Sequence, residues 1–175
     1  MIKLTTPLTD EKIKSLKSGD MVLITGELYT ARDLAHLRMA DMLRRGEPMP
    51  FDFNGNIVFY AGPSPTPPGK AIGSIGPTTA GRMDIHTPTL IKHGLKVMIG
   101  KGLRAEIVRD AIVEHTGIYF GAIGGIAALT SQCIKSVETV AFDDLGTEAI
   151  RRLTVEDFPA YVAIDSTGEC VYENS

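Results

Sequence analysis

Apolar and polar positions along the chain switch repeatedly between two periods. Compact apolar runs at 21–25 (MVLIT), 57–61 (IVFYA), 95–99 (LKVMI) and 118–120 (IYF) have strand chemistry, with the β-branched and aromatic residues that suit a buried pleated surface. Between them lie stretches with helical spacing. Residues 9–17 read as a short helix: Thr9 can cap it, Asp10 and Glu11 favour its positive end, and Gly19 stops it. Residues 30–45 read as a second, with Thr30 and Asp33 in a loose capping box, Ala35, Met39 and Met42 at helical spacing, and Gly46 and Pro48 at its end. A third, over 87–94, has a Thr87 cap, Pro88 in the first helical position and His93-Gly94 at its close. A fourth, over 104–115, is amphipathic around Ile107, Val108, Ala111 and Ile112. After the glycine-rich GAIGG (121–125) come a helix-like stretch, a strand over 137–142, a helix over 147–153 and a hairpin over 161–172 that turns at 166–168.

Strands that alternate with helices define an α/β domain, and the terminal hairpin and short strands predict a mixed sheet. At 175 residues, with no internal repeat, charge run or low-complexity linker, residues 1–175 form a single domain with room for a real core. A content of 43% hydrophobic and 22% charged residues is globular, and a net charge of −3 argues against a nucleic-acid partner. No apolar run approaches a membrane span, and residues 1–10 lack the layout of a signal peptide, so a cytoplasmic protein is expected. Cys133 and Cys170 lie far apart, and His36, His86, His93 and His115 show no HxxxH or HExxH spacing, so no metal site of the chain's own is expected.

Three features carry chemistry. Gly100-Lys101-Gly102 follows a strand but fails the phosphate-loop pattern GxxxxGK[ST]; what survives is a lysine in a glycine turn where open α/β sheets place ligand-binding groups, or a plain surface lysine. GAIGG with Asp143 and Asp144 about 20 residues on resembles a dinucleotide loop only in part, and close packing through glycine explains it as well. Roughly half of residues 61–81 are glycine or proline, and the run ends in GPTTAGRMD (76–84). There Thr78, Thr79 and Arg82 offer two hydroxyls and a planar fork of donors suited to a carboxylate or phosphate. The alternative is a structural turn, with threonine as a cap and Arg82 paired with Asp84. Arg32, in a helical first turn where a cation opposes the dipole, completes a trio with Arg82 and Lys101 that matches a dianion such as a dicarboxylic acid. No nucleophile–base pair is evident.

The segments TARDLAH (30–36), YAGPSPTPPG (60–69), GPTTAGRMD (76–84), IGKG (99–102), GAIGGIAAL (121–129) and DLGTEAIRRLTVEDFPAYVAIDSTG (144–168) resemble the β subunit, or C-terminal domain, of the iron–sulfur hydro-lyases, which comprise the class I fumarases and the tartrate dehydratases. The resemblance implies a swivelling three-layer β/β/α domain. It also implies a separate α subunit that carries a 4Fe-4S cluster through three cysteines, none of which is found here; Cys133 does not stand in for one. Carried over by motif, Arg32, Arg82 and Lys101 bind the carboxylates of a small dicarboxylate substrate. Thr78 takes part in proton transfer, with Thr79 able to exchange roles with it. The expectation is the β subunit of a class I fumarate hydratase, inactive alone and active in an α2β2 assembly, or alternatively of a tartrate dehydratase. A stand-alone nucleotide- or anion-binding module built on GAIGG is the competing reading.

Overall fold

The computed structural model describes residues 1–63, 75–123 and 132–173. Along the chain run β1 (Ile2–Thr5), α1 (Asp10–Ser15), β2 (Met21–Thr30), α2 (Asp33–Arg44), β3 (Ile57–Phe59), β4 (Ala61–Pro63), β5 (Ile75–Pro77), a 3₁₀ turn (Ala80–Met83) and α3 (Thr87–Lys92). They are followed by β6 (Val97–Gly100), α4 (Glu106–His115), β7 (Ile118–Ala122), β8 (Ile134–Ala141), a 3₁₀ segment (Asp143–Glu148), β9 (Ile150–Ile164) and a last 3₁₀ turn (Val171–Glu173). The α/β class and mixed sheet read from the pattern are those of the molecule.

Seven strands form one sheet in the order β1-β2-β3-β6-β7-β9-β8. The first five in that order pair in parallel, and β9 pairs antiparallel with β7, β8 and β2. Because β9 returns to β2, the strands β2, β3, β6, β7 and β9 close into a ring, so that the sheet is partly barrel-like. Alternation along each strand then sorts side chains into two cores. Ile57, Phe59, Val97, Ile99, Ile118 and Phe120 point into the ring. Val58, Tyr60, Met98 and Tyr119 point outward, where α2 (Ala35, Met39), α3 (Leu90, Ile91) and α4 (Val108, Ile112) cover them. Strand β9 keeps its apolar residues inward across a change of parity, from Leu153 and Val155 to Phe158, Ala160 and Val162. Asp157 makes this possible: at φ +51° it is the extra residue of a bulge, since Gly26 faces Val155 while Ile24 faces Phe158. Its N–H is held by the Thr25 hydroxyl at 3.1 Å.

Several local expectations change. Residues 147–153 do not form the expected helix: 147 and 148 end the 3₁₀ segment, and although TEAIRRL is rich in helix formers, pairing with β2 and β8 draws residues 150–153 into β9, with Arg152 opposite Glu138 and bonded to it. Thr30 does not cap α2, whose N-cap is Arg32; Thr30 is buried and its hydroxyl accepts the Arg151 N–H. Thr87 is the first residue of α3 instead of its cap, and its hydroxyl bonds to the Met83 carbonyl. Ile107 is 55% exposed and leaves Val108, Ala111 and Ile112 as the buried stripe of α4. The terminal hairpin shrinks to a turn and one bridge, Ile164 to Cys170. The helix-like stretch after GAIGG lies mostly outside the described residues. Thr9 does cap α1, accepting from the Lys12 N–H at 3.2 Å.

The two glycines around Lys101 have different causes. A Cβ on Gly100 would stand 2.6 Å from the Tyr60 ring and 3.0 Å from Ala80, both fully buried; Gly102 has open space but φ +88°. Gly100→Ala is therefore expected to lower unfolding stability by about 1–3 kcal/mol through overpacking. Gly102→Ala should cost about 1 kcal/mol through backbone strain alone. Denaturant unfolding of both variants checks this, and a smaller loss at Gly100 would contradict it.

Candidate functional site

The carboxyl ends of β2, β3 and β6 point the same way, because the three pair in parallel. Just beyond them lie Arg32, Tyr60 and Lys101, in the region where α/β sheets hold ligands. Strand β4 follows Tyr60 directly and pairs antiparallel with β5, which leads into the next residues of the motif. Thr78 donates its N–H to the Tyr60 carbonyl at 2.8 Å, and Thr79 forms an isolated parallel bridge with Lys101. Ala80 donates to the Lys101 carbonyl at 2.8 Å and starts the 3₁₀ turn that carries Arg82. Arg82 in turn reaches Asp33, Nη2 to Oδ2 at 2.5 Å, which is the residue after Arg32. The Arg32 side chain lies along the backbone of Gly62: a Cβ there would be 2.9 Å from Nη1 and 3.1 Å from Cδ. All five residues singled out from the sequence, Arg32, Thr78, Thr79, Arg82 and Lys101, thus lie at one end of the sheet, joined by contacts.

Their electrostatic states differ. Among the described residues, Arg32 Nε is buried without a hydrogen-bond partner, as is Asp33 Oδ1. Such an orphaned group costs about 1–3 kcal/mol, more when charged, so a partner from outside the chain would be welcome there. Arg82 spends one nitrogen on Asp33 and is half exposed. Lys101 is exposed and forms no ion pair among the described residues. Neither Thr78 nor Thr79 has its hydroxyl engaged by a described residue. Three cations stand against the carboxylates of Asp33 and, on the first turn of α2, Glu148, which leaves the cluster positive.

Sequence reasoning missed what supports this cluster. Arg82 pairs with Asp33 and not with Asp84, as the structural-turn reading had it; Asp84 belongs to Arg104, Oδ1 accepting from Nε at 2.7 Å. The Arg104 side chain is fully buried, with its guanidinium over the rings of Tyr60 and Tyr119 at 5.0 and 4.8 Å. Burial works against its charge, but Tyr60 and Asp84 raise its pKa above the ordinary value. The first turn of α2 is capped from afar, since the Leu34 N–H donates to Glu148 Oε1 at 3.1 Å. Arg38 grips Asp144 with both Nη atoms at 2.8 and 2.7 Å. No sequence-local signal exists for these pairs.

The competing sites fare differently. Gly124 and Gly125 of GAIGG lie outside the described residues; Gly121 serves packing, since a Cβ on it would overlap the Tyr161 ring. Among the described residues no three His, Cys, Asp or Glu side chains gather where they could hold a metal ion. Cys170 is buried, and Cys133 donates to the Asp157 carbonyl. The donors present do not fit an iron–sulfur cluster. No described helix is long and apolar enough to cross a membrane.

The family described as Fumarase C-terminus matches residues 1–175. Fumarate hydratase 2 of Leishmania major is 41% identical over 167 residues, which cover 94% of this chain and 29% of that protein. The anaerobic class I fumarate hydratase of Escherichia coli (strain K12) is 43% identical over 152 residues, 86% of this chain and 28% of that protein. The putative L(+)-tartrate dehydratase subunit beta of Methanocaldococcus jannaschii is 39% identical over 172 residues, 95% of this chain and 88% of that protein. The chain spans under a third of those fumarate hydratases and most of the tartrate dehydratase subunit. It belongs to the Fumarase C-terminus family.

Beneath Arg32 sits His36, 1% exposed, with Nδ1 at 2.8 Å from the Arg32 carbonyl and its ring edge-on to Tyr60. Burial pushes its pKa down to about 4, the Arg32 carbonyl opposing, so the ring is neutral at pH 7 and Nδ1–H is the donor. Between about 4 and 6.5 the unfolded chain binds this proton and the folded chain does not, so stability falls as pH drops through that window. At roughly 1.4 kcal/mol per pH unit the loss approaches about 3 kcal/mol. Denaturant unfolding from about pH 7 to about pH 4 should show a shallower decline for His36→Gln than for the parent; parallel declines would exclude it.

Proposed function

We propose that this chain is the β subunit of a class I, iron–sulfur type fumarate hydratase, which adds water reversibly to fumarate to give malate. The observation that carries the reading is the buried Arg32 Nε, without a partner among the described residues, at the end of the sheet that also carries Arg82 and Lys101. A dicarboxylate brings two negative charges and the acceptors that Arg32 lacks. Each charge-assisted hydrogen bond contributes about 1.5–3 kcal/mol net, enough for several to offset the desolvation of two carboxylates. Arg82 retains donors that no described residue engages after its bond to Asp33, and guanidinium is suited to bidentate carboxylate contact.

In dehydration a proton leaves the carbon beside one carboxylate and hydroxide leaves the neighbouring carbon. Negative charge builds on that carboxylate, and fixed cations lower the barrier by stabilising it. Arg32, Arg82 and Lys101 take this role. Thr78, whose hydroxyl no described residue engages, handles the proton, with Thr79 beside it at the bridge to Lys101. Hydroxide is a poor leaving group and needs a Lewis acid, chemistry that a 4Fe-4S cluster held by an α subunit would supply. The domain is read as the swivelling β/β/α half that closes on the substrate, as one heterodimer of an α2β2 assembly.

A second reading, a tartrate dehydratase β subunit producing oxaloacetate, is favoured by the match in extent to the Methanocaldococcus jannaschii subunit. Reconstitution with the cluster-bearing α subunit and assay on malate, fumarate and tartrate separates the two, and robust hydration by the isolated chain would refute the shared site. In the assembled enzyme, Arg82→Ala is expected to lower kcat/KM on the order of 100-fold or more. Its thermal midpoint should barely move, because an exposed ion pair contributes only about 0–1 kcal/mol. Unchanged kinetics would mean that the substrate lies elsewhere.

A further inference from the structure

The buried Arg104 does not reach the surface where the site cations stand, yet every segment that carries one is tied to it. Its Nε bonds to Asp84 Oδ1 at 2.7 Å, and Asp84 ends the 3₁₀ turn of Arg82. The other carboxylate oxygen takes the Ala105 N–H at 2.6 Å, so the same side chain joins the Arg82 turn to the start of α4. Its Nη2 bonds to the Tyr60 hydroxyl at 3.2 Å and to Thr87 Oγ1 at 3.0 Å, while the Tyr60 carbonyl receives the Thr78 N–H. Its plane also lies over Tyr119, whose hydroxyl donates to the Gly102 carbonyl at 2.9 Å, next to Lys101. The edge of His36 on Tyr60 and its bond to the Arg32 carbonyl extend the same set to Arg32.

We propose that Arg104, with Asp84, is a positioning residue that sets Arg82, Thr78 and Lys101 in register for a dicarboxylate, a role that rests on the function proposed above. Stability alone is a poor reason for such a pair, because buried ion pairs are commonly matched or bettered by apolar side chains of similar volume. What the pair supplies is geometry. A guanidinium has five donors in a fixed fork and two flat faces, and here it meets Asp84, Tyr60 and Thr87 at once while facing two rings. Lysine has three donors on a flexible stem and no plane, so Arg104→Lys keeps the charge and loses the register.

Two measurements test this. In the full chain, amide hydrogen exchange of Arg104→Lys should show Thr78 and Ala80 losing protection about tenfold more than the β2–β9 ladder, because their partners Tyr60 and Lys101 are no longer fixed. Loss at Thr78 and Ala80 only in step with the ladder would overturn the proposal, leaving Arg104 as a core residue. With the α subunit present, Arg104→Lys should raise KM for the dicarboxylate about tenfold, and far less in an Arg82→Ala background, because the two changes act through one contact. Additive losses would count against it. Asp84→Asn carries the same measurements should Arg104→Lys not fold. If the parent pair turns over neither fumarate nor tartrate, the hydro-lyase function falls, while the exchange result still judges the tie between the turns.

Discussion

The antiparallel pairing of β2 with β9 is the constraint on which the molecule rests. Each of these long strands gives one whole edge to the other and divides its second edge between two shorter strands: β1 and β3 along β2, β8 and β7 along β9. Closure of the ring follows, and with it the enclosed core of Phe59, Ile99, Phe120 and Phe158. A closed sheet cannot slide one strand past another without breaking two seams, so the ends of β2, β3 and β6 are set relative to one another. Arg32, Tyr60 and Lys101 inherit that alignment directly from the backbone.

On this rigid end the chain builds an unbalanced charge cluster. A globular protein normally satisfies its buried polar atoms, and the exceptions call for an explanation. Here the exceptions among the described residues are adjacent, Arg32 and Asp33, and Asp33 also holds Arg82. The carboxylate of Asp33 offsets part of the charge of Arg82 and leaves the cluster positive. The chain belongs to the Fumarase C-terminus family, and cations and hydroxyls gather at this end of its sheet.

Much of this was legible in the sequence wherever the deciding contact is local. The four parallel inner strands announced themselves as apolar runs, Thr9 as a cap, and Gly100-Lys101-Gly102 as a turn at a strand end. The site residues stood out because a hydroxyl pair and a guanidinium at the close of a stiff loop have few structural uses. What stayed hidden depends on partners far along the chain. Glu148 caps a helix 114 residues upstream, and Arg104 neutralises an aspartate that its sequence neighbourhood assigned to Arg82. Strand β9 was obscured for the same reason: Arg151, Arg152, Glu156 and Pro159 look unlike a central strand until the neighbours and the bulge at Asp157 are in place.

The cluster is also graded in depth, from the occluded Arg32 Nε to the half-exposed Arg82 and the open Lys101. Mobile ions screen charges in proportion to their contact with solvent, over a Debye length of about 8 Å at physiological ionic strength. On the function proposed above, the outer pair would govern the encounter with an anion and weaken as salt is added, whereas the inner nitrogen would act only after arrival, largely shielded from counterions. That proposal would assign capture and retention to different depths of the same patch, and a change of medium would slow the first while sparing the second.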